Sequence, residues 1–247
     1  MKQTIMKILI FNLLSIFTLN LYAQKSTWDY PIKPGTEKWK SYQNTPDIVK
    51  DLQMPDEVLK TISTEELLNV CLNYPFFSTY TASNNPFEGM NKILDSFNGF
   101  DEFFNRDDAS NILFRFYSNK QVSEINEKEK GIDKAGYSFY YCGYELILCN
   151  RKIITKFSKE QQTNIVKLIM KRQKEKESYE GFFGFWGKMT SAFVANKYAV
   201  LLGKKEVNID NKANNDKKLF TEKMLIRDKK VVDDVLTEVE IFVNQLK

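Results

Sequence analysis

From Ile48 onward the apolar residues of this chain recur at three- and four-residue spacing, the period of helices with one buried face. The starts of those helices are marked in the sequence. Thr45-Pro46-Asp47 reads as N-cap, N1 and N2, with Ile48, Val49 and Leu52 turned inward. Met54-Pro55-Asp56-Glu57 opens a second short helix with Val58, Leu59 and Ile62 inside. Ser63-Thr64-Glu65-Glu66 forms a capping box, with Ile62 and Leu67 at the staple positions, and Leu67, Leu68, Cys71 and Leu72 share one face until Pro75. Asn85-Pro86-Phe87-Glu88 repeats the start signal ahead of Met90, Leu94 and Phe97, and Asn98-Gly99 is expected to stop that helix. Asp107 is then expected to cap a helix carrying Ile112, Leu113, Phe116 and Tyr117.

The second half is less evenly patterned. Tyr137 to Cys149 is apolar on every side, so periodicity does not separate helix from strand; with no convincing partner strand elsewhere, helix is expected. Ser158-Lys159-Glu160-Gln161 is another capping box, leading through Ile165, Val166, Ile169 and Met170 to a tail, Lys171 to Glu177, that reads as solvated. The most regular feature follows. Gly187, Ser191, Ala195, Ala199 and Gly203 stand four apart, and on a helix they line one slowly winding stripe, because four steps of 100° overshoot a turn by roughly 40°. Gly203 to Lys218 is rich in Lys and Asn and is expected to be an exposed loop; Leu225, Val232, Val235, Val239, Phe242 and Leu246 predict a long last helix.

Together these features predict an all-α fold: an irregular multi-helix array or bundle of mostly short helices around a small-residue central helix, preceded by an extended arm. The arm is the segment Trp28 to Gly35, where Pro31 and Pro34 bias the backbone toward extended conformations and Trp28 and Tyr30 offer anchors. The arm residues Tyr30-Pro31-Ile32-Lys33-Pro34-Gly35-Thr36-Glu37-Lys38-Trp39, followed by Leu67-Leu68-Asn69-Val70-Cys71-Leu72-Asn73-Tyr74-Pro75, resemble an uncharacterised family of exported bacterial proteins. The resemblance runs from about Tyr30 to Asn98. It implies an exported, mainly helical protein and brings no activity, ligand or catalytic residue with it.

Export is also suggested by the first 23 residues. Lys2 and Lys7 give a positive start, Ile8 to Leu21 an apolar run and Leu21-Tyr22-Ala23 a cleavage site, so Met1 to Ala23 reads as a signal peptide and 24–247 as a single helical domain, periplasmic or secreted. Composition narrows the chemistry further. Of 247 residues, 43% are hydrophobic and 28% charged, and 36 basic residues alternate with 32 acidic ones to give +4, which leaves no nucleic-acid footprint. Lys188, Asn196 and Lys197 interrupt the apolar run around the ladder, so no stable membrane insertion is expected.

Histidine is absent, which removes the usual general base near neutral pH, the usual triad base and the commonest zinc ligand. Cys71, Cys142 and Cys149 each sit in an apolar run and read as core. The doublets Asp107-Asp108 and Asp233-Asp234 do not face each other on a helix, and no phosphate-loop, metal or cofactor motif is present, so the sequence predicts no cofactor, no metal and no catalytic residue. The expected function is therefore that of an exported, non-enzymatic helical binding or interaction protein with an unknown protein or glycan partner. The alternative is a His-free hydrolase acting on glycans through paired carboxylates. If a ligand surface exists, the glycine-flanked aromatics Tyr179, Phe183 and Trp186 are its first candidates, since Gly181, Gly184 and Gly187 allow close approach.

Overall fold

The computed structural model describes residues 28–205 and 212–246. The signal peptide expected at Met1 to Ala23 lies outside the described residues. Among those described, every regular element is helical.

The arm behaves as its anchors predict. Tyr30 and Ile32 are buried, and the Tyr30 hydroxyl donates to the Val70 carbonyl at 2.9 Å. Five short helices follow: α1 (Glu37–Ser41), α2 (Thr45–Asp51), α3 (Asp56–Thr61), α4 (Thr64–Leu72) and, after a 3-10 turn at Phe77–Ala82, α5 (Pro86–Ser96). Their starts follow local side-chain chemistry. Asn85 accepts from Glu88 N–H at 3.0 Å, and the Ser63/Glu66 capping box is present as the sequence predicts. The cap of α2 is Asn44 rather than Thr45, accepting from Asp47 N–H at 3.1 Å. Both residue types can cap; the one just outside the Thr-Pro pair takes the position.

Two further helices complete this half. Asn98-Gly99 does not lead into a loop: Phe97 alone is extended (φ −124°, ψ 120°), and α6 (Asn98–Asn105) begins at once. Its Asn98 side chain accepts from Met54 N–H and donates to Met54 C=O, both at 2.9 Å, so a residue that reads as a stop instead stitches α6 to the α2–α3 connection. The N-cap position of α7 (Ala109–Asn119) is Asp108, not Asp107; its carboxylate makes no cap bond and accepts instead from the Thr64 hydroxyl at 2.8 Å.

Beyond a 3-10 turn at Val122–Glu127 the helices lengthen: α8 (Gly131–Leu148), α9 (Lys159–Glu177), α10 (Glu180–Leu201) and α12 (Lys230–Gln245), with α11 (Lys212–Lys223) before the last. The aromatic run from Tyr137 to Leu148 is helical, within α8, and Cys149 is that helix's C-cap. The loop expected at Gly203 to Lys218 is cut short, because α11 starts inside it; fully buried Phe220 gives that polar helix its anchor.

The small-residue ladder does organise the packing. α10 lies against α8, α9 and α12, and Gly187, Ser191, Ala195 and Ala199 are all buried. At Gly187 a Cβ would stand 2.9 Å from the Phe183 Cβ and 3.4 Å from the Lys176 Cδ, so this rung is small because α9 and the preceding turn of α10 close over it. The last rung, Gly203, lies past the helix end at φ 102°, where glycine is needed for conformation rather than for packing. One break interrupts α10: Gly184 sits at φ 46°, ψ −150°, outside helical space, and turns the aromatic start of the helix relative to its body. No described helix is long and apolar enough to cross a membrane.

Candidate functional site

The Gly184 break decides where the three aromatics singled out from the sequence go. Phe183 turns into the core, 2% exposed and edge-on to Tyr141 with 5.8 Å between ring centroids. Tyr179 lies just before α10, its hydroxyl accepting from the Asn126 amide at 2.7 Å. Trp186 is half-buried beside Tyr80 and Phe139, and its indole N–H has no hydrogen-bond partner among the described residues. The three do not converge on a common described cleft. It is Phe182 that stays partly exposed, with the Lys134 ammonium 5.8 Å from its ring centroid.

Beneath Phe183 lies a group of polar residues that the sequence does not announce. Glu145 of α8, Lys176 of α9 and Ser191 of α10 are 0%, 2% and 0% exposed. The Lys176 ammonium donates to Glu145 Oε2 at 2.7 Å and to Ser191 Oγ at 2.9 Å, and Tyr117 of α7 donates its hydroxyl to Glu145 Oε1 at 3.0 Å. The rings of Tyr141 and Phe183 flank the ammonium at 5.1 and 5.6 Å. Burial, reinforced by the Glu145 charge, pushes the Tyr117 phenol well above the usual tyrosine range, so it remains a donor.

A serine hydroxyl within reach of a lysine amine is a nucleophile-and-base pairing elsewhere in protein chemistry. Here the lysine is matched to a carboxylate and the serine has no exposed surface. The group is suited to joining four helices at one point. Its sequence signals were a lone Glu within the apolar run of α8 and a Lys in a stretch that reads as solvated; Arg172, Gln173 and Lys176, expected in water, are all buried.

The three thiols are reduced and buried. Burial pushes each of them up, Cys142 to about 12, which disfavours the thiolate that nucleophilic chemistry needs. In the acidic cleft beside α12, three of the four carboxylates, all but Asp234, are engaged by the protein itself. Glu238 takes ion pairs from Lys204, at 3.1 Å, and Lys217; Asp216 pairs with Arg227, and Asp228 accepts from Lys230 N–H. Burial raises the Glu238 carboxyl, but the two lysine hydrogen bonds outweigh it and hold it below its usual range. Among the described residues no group of three or more metal-ligating side chains is placed to hold an ion.

Two clefts with a different character flank α4. One, about 430 Å³, lies between the arm and the C-terminal end of α4, with Trp28, Pro75 and Tyr140 as apolar walls and Asn69 and Asn73 as amides. The other, about 290 Å³, lies between α4 and α7, over Leu68, Ile112 and Phe116, with Asn119 at its rim. Asn69 lines both. The α4 C-terminal turn, the arm and α8 are brought together here by the burial of Tyr30 and by Tyr140 stacking on Phe77 at 5.4 Å. Comparison with family models, with curated proteins and with solved structures finds no match to this chain.

Proposed function

We propose that this is an exported, non-enzymatic helical binding protein that takes its partner across the exposed side of α4. The observation that supports this reading is the pair of clefts meeting at Asn69, where half-buried aromatic rings stand beside side-chain amides that the fold leaves open. By contrast, the group closest in composition to a catalytic set, Ser191 with Lys176 and Glu145, is sealed in the core. Pockets of a few hundred cubic ångströms with apolar walls and a few polar groups are the usual form of small-molecule sites.

Thermal-shift screening of the chain from Gln24 onward against glycans, peptides and lipids tests the proposal. A ligand that raises the melting temperature of the parent protein and of Trp186→Ala, but not of Tyr140→Ala, is the expected result. If no class of ligand shifts the melting temperature, or if every hit survives Tyr140→Ala, the α4 surface is not the binding site.

A further inference from the structure

We infer that the α4 surface recognises a neutral oligosaccharide long enough to occupy both clefts; this rests on the binding function proposed above. The first reason is charge. The ionisable side chains lining the two clefts are matched to one another: Lys33 with Asp29 at 2.5 Å, Arg115 with Glu65 at 2.7 Å, and Lys120 with Glu124 at 2.6 Å. The Glu124 carboxyl is pushed up by burial but drawn below its usual range by the hydrogen bonds from Lys120 and from the Gln121 N–H. The pairs sum to no net charge, so neither cleft offers an anionic or cationic ligand a field of opposite sign, whereas a neutral ligand needs none.

The second reason is the hydrogen-bonding groups left over. The Asn69 side chain makes no hydrogen bond to a described residue, and Asn73 donates only to Asn69 C=O at 2.8 Å, leaving its own Oδ1 open. The two stand one helical turn apart on the exposed side of α4. Each amide offers a donor, an acceptor or both, the complement of adjacent sugar hydroxyls, which also donate and accept. The third is the placement of rings. Tyr140 and Trp28 wall one cleft and Phe116 the other, all half-buried, so that each cleft can present an aromatic surface to the apolar face of one sugar ring. A proline-rich peptide would also use aromatic walls, but it is held through backbone carbonyls by donors alone and has no need of open amide acceptors.

The test is isothermal titration calorimetry of the parent protein with neutral disaccharides and tetrasaccharides of the malto-, cello- and N-acetylchito- series, with an oligogalacturonate as charged sugar and a proline-rich peptide as non-sugar. One neutral series should bind saturably, its tetrasaccharide about tenfold or more tighter than its disaccharide. Asn69→Ala and Tyr140→Ala should each weaken that tetrasaccharide by about tenfold, while Phe116→Ala should weaken the tetrasaccharide and spare the disaccharide. Asn69 is exposed and its side chain has no partner, so its variant separates lost binding from lost folding. Binding of the oligogalacturonate or the peptide alone, abolished by Tyr140→Ala, would overturn the neutral-sugar inference and leave the binding function standing. No saturable heat from any probe at about 10 mM would overturn the inference, and the absence of any hit in the wider ligand screen would remove the binding function as well.

Discussion

The region from the arm to α7 and the region from α8 to α12 are both helical, yet they are held together by different means. In the first, helices as short as 5 and 6 residues leave most of their backbone groups without a partner inside the helix. Side chains from elsewhere take those groups up. Arg106 donates to Leu59 C=O and to Ile62 C=O, both at 2.7 Å, closing the C-terminal end of α3, while Asn98 pairs with both backbone groups of Met54. The core between them is left to rings such as Tyr74 and Phe97, stacked at 4.7 Å. In the second region α8, α9 and α10 have 18, 19 and 22 residues and satisfy most of their own backbone groups, although Gly184 breaks α10 and Tyr198 donates to Leu148 C=O at the end of α8. Their polar side chains are free to act across helices, and charge is buried there: Glu145 with Lys176. Where helices are long enough to bond most of their own backbones, buried polar side chains such as Glu145, Lys176 and Ser191 can pair with one another.

The largest effect that would break this contrast comes from the buried pair. Glu145→Ala leaves the Lys176 ammonium in the core without its carboxylate and should cost about 3–5 kcal/mol in urea unfolding, whereas Glu145→Leu combined with Lys176→Met should recover most of that. A loss below about 1 kcal/mol for Glu145→Ala would show that charge in the second region is incidental. Next comes the ladder. Ala195 is fully buried where α10 packs on its neighbours, so Ala195→Leu should lose about 1–3 kcal/mol through overpacking. An unchanged melting temperature would place the organising contact on another helix. In the first region the comparable change is smaller and local: Ser63→Ala removes the bond that Glu66 N–H donates to Ser63 Oγ and should cost about 1 kcal/mol, read by urea unfolding and by faster amide exchange in the first turn of α4.

The same contrast explains what could be read from the sequence. Ser63, Asn85 and Ser158 were legible because a cap and its target lie three residues apart; the cap of α2 slipped by one position because Asn44 and Thr45 carry the same signal. The ladder was legible because small residues in one register imply close packing whatever the partner. Lys176 was not. It follows Lys171, Arg172 and Lys174 in a run that looks solvated, and its partner is 31 residues away, so only the tertiary fold separates it from its neighbours. The α4 clefts were hidden in the same way. Tyr140 sits in a run that reads as core on every face, Asn69 and Asn73 read as ordinary polar positions, and the arm that completes the cleft is contributed by chain some 40 residues earlier than Val70, the residue it clasps.

The two regions also meet through charge, at Lys152, which follows α8 and reaches Asp95 of α5 at 3.2 Å and Asp101 of α6 at 2.5 Å. The hydrogen bond that Lys152 donates to the Asp101 carboxylate raises its ammonium above its usual value, against a smaller lowering by partial burial, with Asp95 adding in the same direction. A raised lysine stabilises the fold fully below its ordinary value of 10.5 and loses that contribution as pH climbs through the raised one. The pair is partly solvated, so Lys152→Ala should cost no more than about 1 kcal/mol at pH 7. The difference between parent and variant should therefore hold up to pH 10.5 and shrink as pH climbs beyond it through the raised value, measured by urea unfolding at stepped pH. A difference that persists at high pH would mean that Lys152 joins the two regions through its aliphatic stem and that its charge does not.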